Sequence, residues 1–156
     1  MATTIAPASL TVTISESYTL NGVSYGNTMN KTYATNGQVS QRVMSIAGKG
    51  SSSTTFTNIL SLSTVDGQGQ VVKADYKYFR IANSDTLNTL NLRIYNGSDY
   101  VAVEVTPSST FLLMDAGIDS PASGSVAVTF ADITAIAGQS SSATDAIDVE
   151  FMIVTA

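Results

Sequence analysis

The stretch "TLNLRIYNGSDYVAVEV" (Thr89–Val105) holds two runs of alternating apolar and polar residues on either side of Asn96-Gly97. Alternation with a period of two indicates a β-strand with one buried face. Asn-Gly is favoured in two-residue hairpin turns, because both central residues need a positive φ. The stretch therefore predicts a β-hairpin, and nothing in its residue types or spacing points to catalysis.

The same pattern extends to both ends of the chain. "SLTVTIS" (residues 9–15) and "IDVEFMIVTA" (residues 147–156) alternate in the same way, and Asn21-Gly22 and Asn36-Gly37 predict two further hairpin turns. Nine or ten short strands at even spacing, with almost no helical periodicity, are typical of sandwiches, jelly rolls and barrels. We predict an all-β fold, an antiparallel, jelly-roll-like β-sandwich. We expect a single domain over residues 1–156, with residues 1–8 as an extended arm.

Composition narrows the chemistry. The 156 residues include no Cys, His or Trp, and charged residues make up 12% with a net charge of −5. The commonest general base and metal ligand is therefore missing, as are thiolate sites. The seven Lys and Arg are scattered, which disfavours a nucleic-acid groove. We expect no cofactor and no metal. A Ca²⁺ ion held by a loop aspartate, Asp66 or Asp119, is the most plausible exception.

Polarity comes instead from hydroxyl groups, with 21 Ser and 20 Thr in the chain. Thr is β-branched and fits a solvated strand face, so this composition agrees with an all-β fold. The Ser-rich composition of "AGQSSSATDA" (residues 137–146) predicts a mobile loop. No run of apolar residues approaches the roughly 18 of a membrane span, so we expect no membrane partner.

Asp148 and Glu150 form the one pair with possible catalytic spacing. Two residues apart on a strand, their carboxylates share a face at roughly 6.6–7 Å, a separation found in glycosidases. The simpler interpretation is a solvated strand face, which we favour because such pairs arise easily. No His is present to activate a Ser nucleophile. We therefore predict no catalytic residues and no enzyme. A hydrolase that uses this carboxylate pair ranks last among the three functional classes considered.

Two strands are apolar on both faces. In "TFLLMDA" (residues 110–116), Leu112 and Met114 lie opposite Phe111 and Leu113. In residues 147–156, Met152 and Val154 continue the face that begins with Asp148 and Glu150. Such strands need cover, and the Ser-rich residues 139–144 are too polar to provide it. We predict that a neighbouring subunit does so. The predicted contact residues are Leu112, Met114, Met152 and Val154.

The most distinctive segment is "KYFRIANSDTLNTLNLRIYNGSDYVAVEVTPSSTFLL" (residues 77–113), with an Asn-x-Asp-x-x-Asn turn and a Pro-led turn. Together with "NKTYATNGQVSQRVMSIA" (residues 30–47), it resembles small β-sandwich virion proteins of tailed phages of marine bacteria and cyanobacteria. Such chains often carry Pro-Gly where this one has Pro107-Ser108.

The resemblance implies a virion structural role, as a capsid decoration or cement protein or a tail component. It implies assembly in the host cytoplasm, self-association with a trimer favoured, and a major capsid protein or another virion protein as partner. Two alternatives stay open. One is a tail or fibre component that binds a receptor or glycan through some of the seven Tyr residues; the other is a non-viral filament subunit.

Overall fold

The computed structural model describes residues 8–35, 37, 39–51, 54–64, 71–97, 99–114 and 132–155. The described part holds eleven strands, one or two more than predicted, and a single turn of 3-10 helix at Lys73–Asp75. The strands are β1 (Ala8–Leu20), β2 (Val23–Thr35), β3 (Val39–Ile46), β4 (Thr57–Ser63), β5 (Val71–Val72), β6 (Tyr76–Asn83), β7 (Leu90–Tyr95), β8 (Tyr100–Val105), β9 (Thr110–Met114), β10 (Ala135–Ser140) and β11 (Ile147–Thr155). The predicted arm at residues 1–8 lies almost wholly outside these ranges.

Two sheets pack face to face, which confirms the predicted all-β sandwich. The five-stranded sheet has the order β5-β4-β10-β7-β8, and the four-stranded sheet has the order β3-β11-β6-β9. The antiparallel pairs β3–β11, β4–β10, β6–β9 and β7–β8 are nested, so each pair encloses the next along the chain. Strand β5 is added at one edge, parallel to β4. Strands β1 and β2 pair only with each other among the described strands.

The core fills the space between the two sheets, where alternate side chains of each strand point inward. The largest fully buried side chains belong to both sheets, with Phe79, Ile81, Ile147 and Ile153 from one and Leu92 from the other. Phe79 and Phe151 lie with ring centroids 6.4 Å apart. The alternation in Thr89–Val105 is therefore confirmed as a hairpin, β7–β8, with Leu92 and Val105 facing the core.

The prediction of a mobile segment at residues 137–146 is wrong for its first four residues. Ala137 to Ser140 belong to β10, which lies between β4 and β7, and all four are buried. Gly138 is required there, because a β-carbon would lie 2.8–2.9 Å from the δ1 carbons of Ile46, Ile59 and Leu90. Buried Gln139 donates its Nε2–H to the Thr55 carbonyl at 2.6 Å.

Two of the three predicted Asn-Gly hairpins are confirmed. Asn21 and Gly22 have φ of 51° and 80°, which suits the two-residue turn between β1 and β2. At the second, Tyr95 pairs with Tyr100, so the loop has four residues rather than two, and Gly97 has φ of 112°. Glycine is favoured at both turns because it adopts positive φ without steric cost.

The third predicted hairpin, at Asn36-Gly37, is wrong. Strands β2 and β3 flank it, but β3 pairs with β11 and not with β2, so the chain passes here from one sheet to another. Asn36 itself lies outside the described residues. Gly37 serves close packing, since a β-carbon there would collide with the side chain and carbonyl of Thr155.

The Asn-x-Asp-x-x-Asn turn joins the two sheets between β6 and β7. Buried Asn83 donates its Nδ2–H groups to the carbonyls of Asn88, Val105 and Thr106 at 2.9–3.3 Å. The Oδ1 of Asp85 accepts the backbone N–H groups of Leu87 and Asn88 at 2.7 and 2.6 Å. These bonds satisfy backbone groups that no strand partner reaches, so the motif has a structural role.

Candidate interaction surfaces

Strands β1 and β2 form a two-stranded ribbon, the β1–β2 ribbon, over residues 8–35. Its sequence alternates, so the two faces differ in chemistry. One face carries hydroxyl and amide groups, among them the cross-strand bonds Thr11–Thr32, Thr13–Asn30 and Ser15–Thr28 at 2.8–3.3 Å. The opposite face is mainly apolar. Its rows are Leu10–Tyr33, Val12–Lys31, Ile14–Met29, Glu16–Asn27, Tyr18–Tyr25 and Leu20–Val23.

The apolar face of the ribbon is exposed toward the Asn21-Gly22 turn, whereas Leu10, Val12 and Ile14 are half-buried and Tyr33 is buried. Tyr18, Leu20, Val23, Tyr25 and Met29 have between 46% and 59% of their surface in contact with solvent. Tyr18 and Tyr25 stack on one another, with ring centroids 5.2 Å apart and planes 14° from parallel. An isolated two-stranded hairpin is marginally stable in water, and contiguous exposed apolar residues mark interaction sites. This face is therefore the leading candidate for a contact with another molecule.

A second surface is the outer face of the four-stranded sheet. The strand register brings all four predicted contact residues to it, in the rows Val39–Val154–Tyr78–Met114 and Gln41–Met152–Arg80–Leu112. Leu112 is 37% exposed, and Met114 and Met152 are half-buried. Val154 is fully buried within the chain, so it can lie only beside a subunit contact and offers no surface of its own. Whether a neighbour covers this face stays a prediction.

Part of that outer face is already covered by the chain itself. Tyr78, next to Val154, is buried outside the main core, and burial raises the pKa of its phenol above the ordinary 10.0 while the Arg80 charge acts in the opposite direction. Val39 and Val43, on edge strand β3, are 52% and 71% exposed. The apolar surface available to a neighbour therefore lies toward β3 and β9 rather than over the end of β11.

Asp148 and Glu150 share the outer face of β11, as their spacing predicts. Glu150 Oε1 accepts hydrogen bonds from the Arg80 guanidinium and from Gln41 Nε2, the latter at 2.9 Å. Asp148 is exposed, and its backbone carbonyl accepts the N–H of Ser84. The strand neighbours of Glu150 are Val43 and Ala82, so Arg80 and Gln41 reach its carboxylate from the adjacent row of the sheet, beside Met152.

The outer face of the five-stranded sheet carries a third surface, a shallow cavity of about 370 Å³. The Arg93 guanidinium carbon lies 3.9 Å from the Phe56 ring centroid and 4.2 Å from that of Tyr100. Tyr95 packs beside Tyr100 at 5.5 Å. The Nε atom of Arg93 is buried and makes no hydrogen bond to the described part of the chain. Aromatic rings and hydrogen-bonding groups on one face can recognise a polar ligand.

No group of three or more acidic side chains that could hold a metal ion occurs among the described residues. Asp66 and Asp119, the residues considered for a loop Ca²⁺, lie outside the described residues. Within residues 8–155, as far as they are described, no helix has the length and apolar character needed to cross a membrane.

Comparison with protein-family models, with curated proteins and with solved structures finds no match to this chain. The surfaces themselves were only partly visible in the sequence. Alternation in residues 10–20 and 23–33 predicts a hairpin with one apolar face, but the absence of a third strand beside it depends on where β3 pairs. The Arg93 cluster joins Phe56, in the loop before β4, to Arg93 and Tyr100 on the neighbouring strands β7 and β8. Because Phe56 is far from the other two in sequence, no local spacing indicates the cluster.

Proposed function

We propose that this protein is a structural subunit of a tailed bacteriophage particle, a capsid decoration or cement protein that associates with itself and packs on the shell. The observation that carries the proposal is the β1–β2 ribbon. It carries an exposed apolar face, which is unusual in a monomeric soluble domain and is expected in a subunit of an assembly.

The strand order adds support. Four nested antiparallel pairs, divided between two sheets, are the arrangement produced when one long hairpin rolls up, and we infer from it that the sandwich is a jelly roll. Jelly rolls recur in viral capsid proteins and in lectins. A fold alone does not determine function, so the weight rests on the exposed ribbon together with the resemblance of residues 30–47 and 77–113 to phage virion proteins.

The ion pair between Arg80 and Glu150 supports a structural rather than hydrolytic use of the outer face of β11. A general acid in a glycosidase must release its proton to substrate, whereas Glu150 is held by two donors within the sheet. We assign the outer face of the four-stranded sheet to packing against other virion subunits. The trimer that the resemblance implies would be built through Leu112, Met114 and Met152.

Location on purified particles tests this function. The phage that encodes the chain is purified by density gradient, its proteins are quantified by mass spectrometry, and antibody against the chain is imaged on intact particles. We expect many copies, labelled on the head. Label confined to the tail would favour the second candidate, and absence of the chain from particles would overturn the proposal.

The second candidate is a tail or fibre component that binds a receptor glycan, and the Arg93 cavity favours it. A glycan array with the purified chain, repeated with Tyr100→Ala, tests this possibility. Binding that disappears in the variant, with circular dichroism unchanged, would support a glycan site there. Equal signals from both proteins, or none from either, would remove it.

A further inference from the structure

We infer that the apolar face of the β1–β2 ribbon is closed by the same face of a second copy of this chain, with the two ribbons antiparallel. The two-fold axis crosses the strands at the Ile14–Met29 row. The inference builds on the structural role proposed above, and it names the surface, the partner and the register of the contact.

The ribbon requires an occupant that is present whenever the protein is. Its two strands have no third strand beside them among the described elements, and five of its apolar side chains are about half exposed. A hairpin of this kind has little stability of its own in water. Another copy of the chain is the one partner that always accompanies it, and symmetric pairing is the commonest way in which soluble chains associate.

The available area meets the requirement of a specific contact. Each of the five exposed apolar side chains, 46–59% accessible, leaves about 100 Å² in water, given 150–250 Å² for a whole aromatic side chain. Two copies would together bury about 1,000 Å² through these side chains alone, which reaches the lower bound for a specific protein interface. The rows that contain Leu10, Val12 and Ile14 add to this.

Charge decides the direction in which the ribbons run. The face carries one cation, Lys31, and one anion, Glu16, in the rows on either side of the Ile14–Met29 row. Antiparallel ribbons centred on that row place the Lys31 row of each copy against the Glu16 row of the other. Parallel ribbons would instead bring the two Glu16 rows together and the two Lys31 rows together, and like charges close to one another in a contact disfavour it.

The same register brings apolar rows together. The Tyr18–Tyr25 row of one copy faces the Leu10–Tyr33 row of the other, where half-buried Leu10 is within reach of the rings and Tyr33 is buried in its own chain. The Leu20–Val23 row lies opposite Ala8–Thr35. This contact uses residues other than those on the outer face of the four-stranded sheet. A trimer built through that sheet could therefore be joined to a neighbouring trimer by ribbons, which is how a continuous layer over a shell would form.

The first test compares one charge on each face of the ribbon. Met29→Glu places two carboxylates at the two-fold axis, and we expect the dimer dissociation constant, measured by sedimentation of the full chain, to rise at least about tenfold. Thr28→Glu, the matched control, puts the same charge one residue away on the polar face and should leave the constant within about twofold. Both positions are exposed, so circular dichroism should not change.

The second test exchanges the charges. Glu16→Lys and Lys31→Glu should each weaken the dimer by about threefold to tenfold, because each creates a like-charge pair, and the double variant should restore it to within about twofold. Recovery of this kind requires that the two residues lie close to each other in opposed rows of the two copies.

The third test measures the register. The chain has no cysteine, so single Cys variants can be joined by a short bis-maleimide. Met29→Cys lies on the axis and should link efficiently. Leu20→Cys lies three rows away, so its two copies would be about 41 Å apart in the antiparallel arrangement and should not link. In a parallel arrangement both would link.

A wild type that sediments as a monomer at about 100 µM, or equal effects of Met29→Glu and Thr28→Glu, would overturn the inference. So would a double charge variant that fails to recover while Met29→Glu disrupts, since the ribbon would then dock on a different surface or protein. None of these results bears on whether the chain is found on particles. Its absence from particles would in turn overturn the proposed function and leave the dimer intact.

Discussion

Asp85 holds the turn between β6 and β7 through its carboxylate. The backbone N–H groups of Asn88 and Leu87 donate to it, and these bonds hold its pKa below the ordinary 3.8 of an aspartate. A carboxyl with a lowered pKa in the folded state adds stability that is complete above the unfolded pKa, near pH 4. That stability is lost as the pH falls through the folded value.

We therefore expect Asp85→Asn to lose less stability than the wild type between pH 6 and pH 3. The measurement is the urea midpoint of unfolding across this range. Asp99→Asn, which removes one negative charge from the nearby β7–β8 loop, controls for the change in net charge. Parallel acid limbs for the wild type and Asp85→Asn would contradict the expectation.

Ser108 carries a backbone strain that its sequence context explains. It follows Pro107 in the turn before β9 and has φ of 56°, a left-handed conformation that an L side chain adopts at a cost. Glycine accepts this φ without penalty. Serine at this position therefore makes the turn less stable than glycine would.

Ser108→Gly should raise the free energy of unfolding by about 0.5–1 kcal/mol, the relief of a strained φ offset in part by glycine's greater freedom in the unfolded chain. Ser109→Gly is the matched control. It removes a hydroxyl that bonds to Thr106 Oγ1 at 2.9 Å and should not stabilise. Denaturant unfolding of both variants decides the matter, and a gain for Ser109→Gly alone would refute the argument.

At the scale of the element, β10 is a strand whose formation depends on packing against its neighbours rather than on an alternating sequence. Gly138 lies where β-carbons of any other residue would press on three core side chains. Gly138→Ala should cost about 1–3 kcal/mol, because the interior cannot expand freely. Adding Ile59→Val removes one of the three δ1 carbons and should recover part of the loss in urea unfolding. Full stability of Gly138→Ala would mean that the core accommodates a methyl group.

The sequence predicted the strands whose hydrophobicity alternates and the turns that join neighbouring strands. β1, β7, β8 and β11 alternate in hydrophobicity, so their period of two was readable, and Asn21-Gly22 and Asn96-Gly97 join neighbours. β10 was not predicted as a strand because Gly138, Gln139 and Ser140 do not alternate between apolar and polar. These residues are buried because β10 lies between β4 and β7. The hairpin prediction at Asn36-Gly37 was wrong because it used the local dipeptide, which is the same as Asn21-Gly22. The pairing partner of β3 is β11, near the other end of the chain.

At the scale of the whole molecule, the predicted contact residues were brought to one surface although they come from two distant strands. This was predictable because each strand was apolar on both faces, and a sandwich has one interior. The sequence could not show that Val154 would be covered within the chain, since that depends on how the sheet edge closes beside Tyr78.

Met152→Glu tests the assembly role of the outer face of the four-stranded sheet. Met152 lies in the same row as Arg80, so the new carboxylate has a cation nearby and the fold should survive. We expect sedimentation to show loss of the assembly built on this face, at least about tenfold weaker, with the β-signal in circular dichroism retained. Ala102→Glu, on the outer face of the other sheet, is the control.

An unfolded Met152→Glu would identify the residue as core, and an unchanged oligomer would mean that the face is simply exposed. The two proposed contacts are separable in this experiment. Met152→Glu should leave a species joined by ribbons, Met29→Glu should leave one joined by sheets, and the double variant should be a monomer.

The nesting of strand pairs also sets the order in which the chain can fold as it is synthesised. The innermost pair, β7–β8, needs only a four-residue loop, whereas Ile46 of β3 must wait for Ile147 of β11. At about 5–20 residues per second, the intervening stretch of about 100 residues takes about 5–20 seconds to emerge. The β1–β2 ribbon, closed by its own turn, is synthesised well before β11, and with little stability of its own it would be stabilised by another ribbon. Ribbons of neighbouring nascent chains on one messenger could therefore meet first, and partner choice would precede completion of the fold.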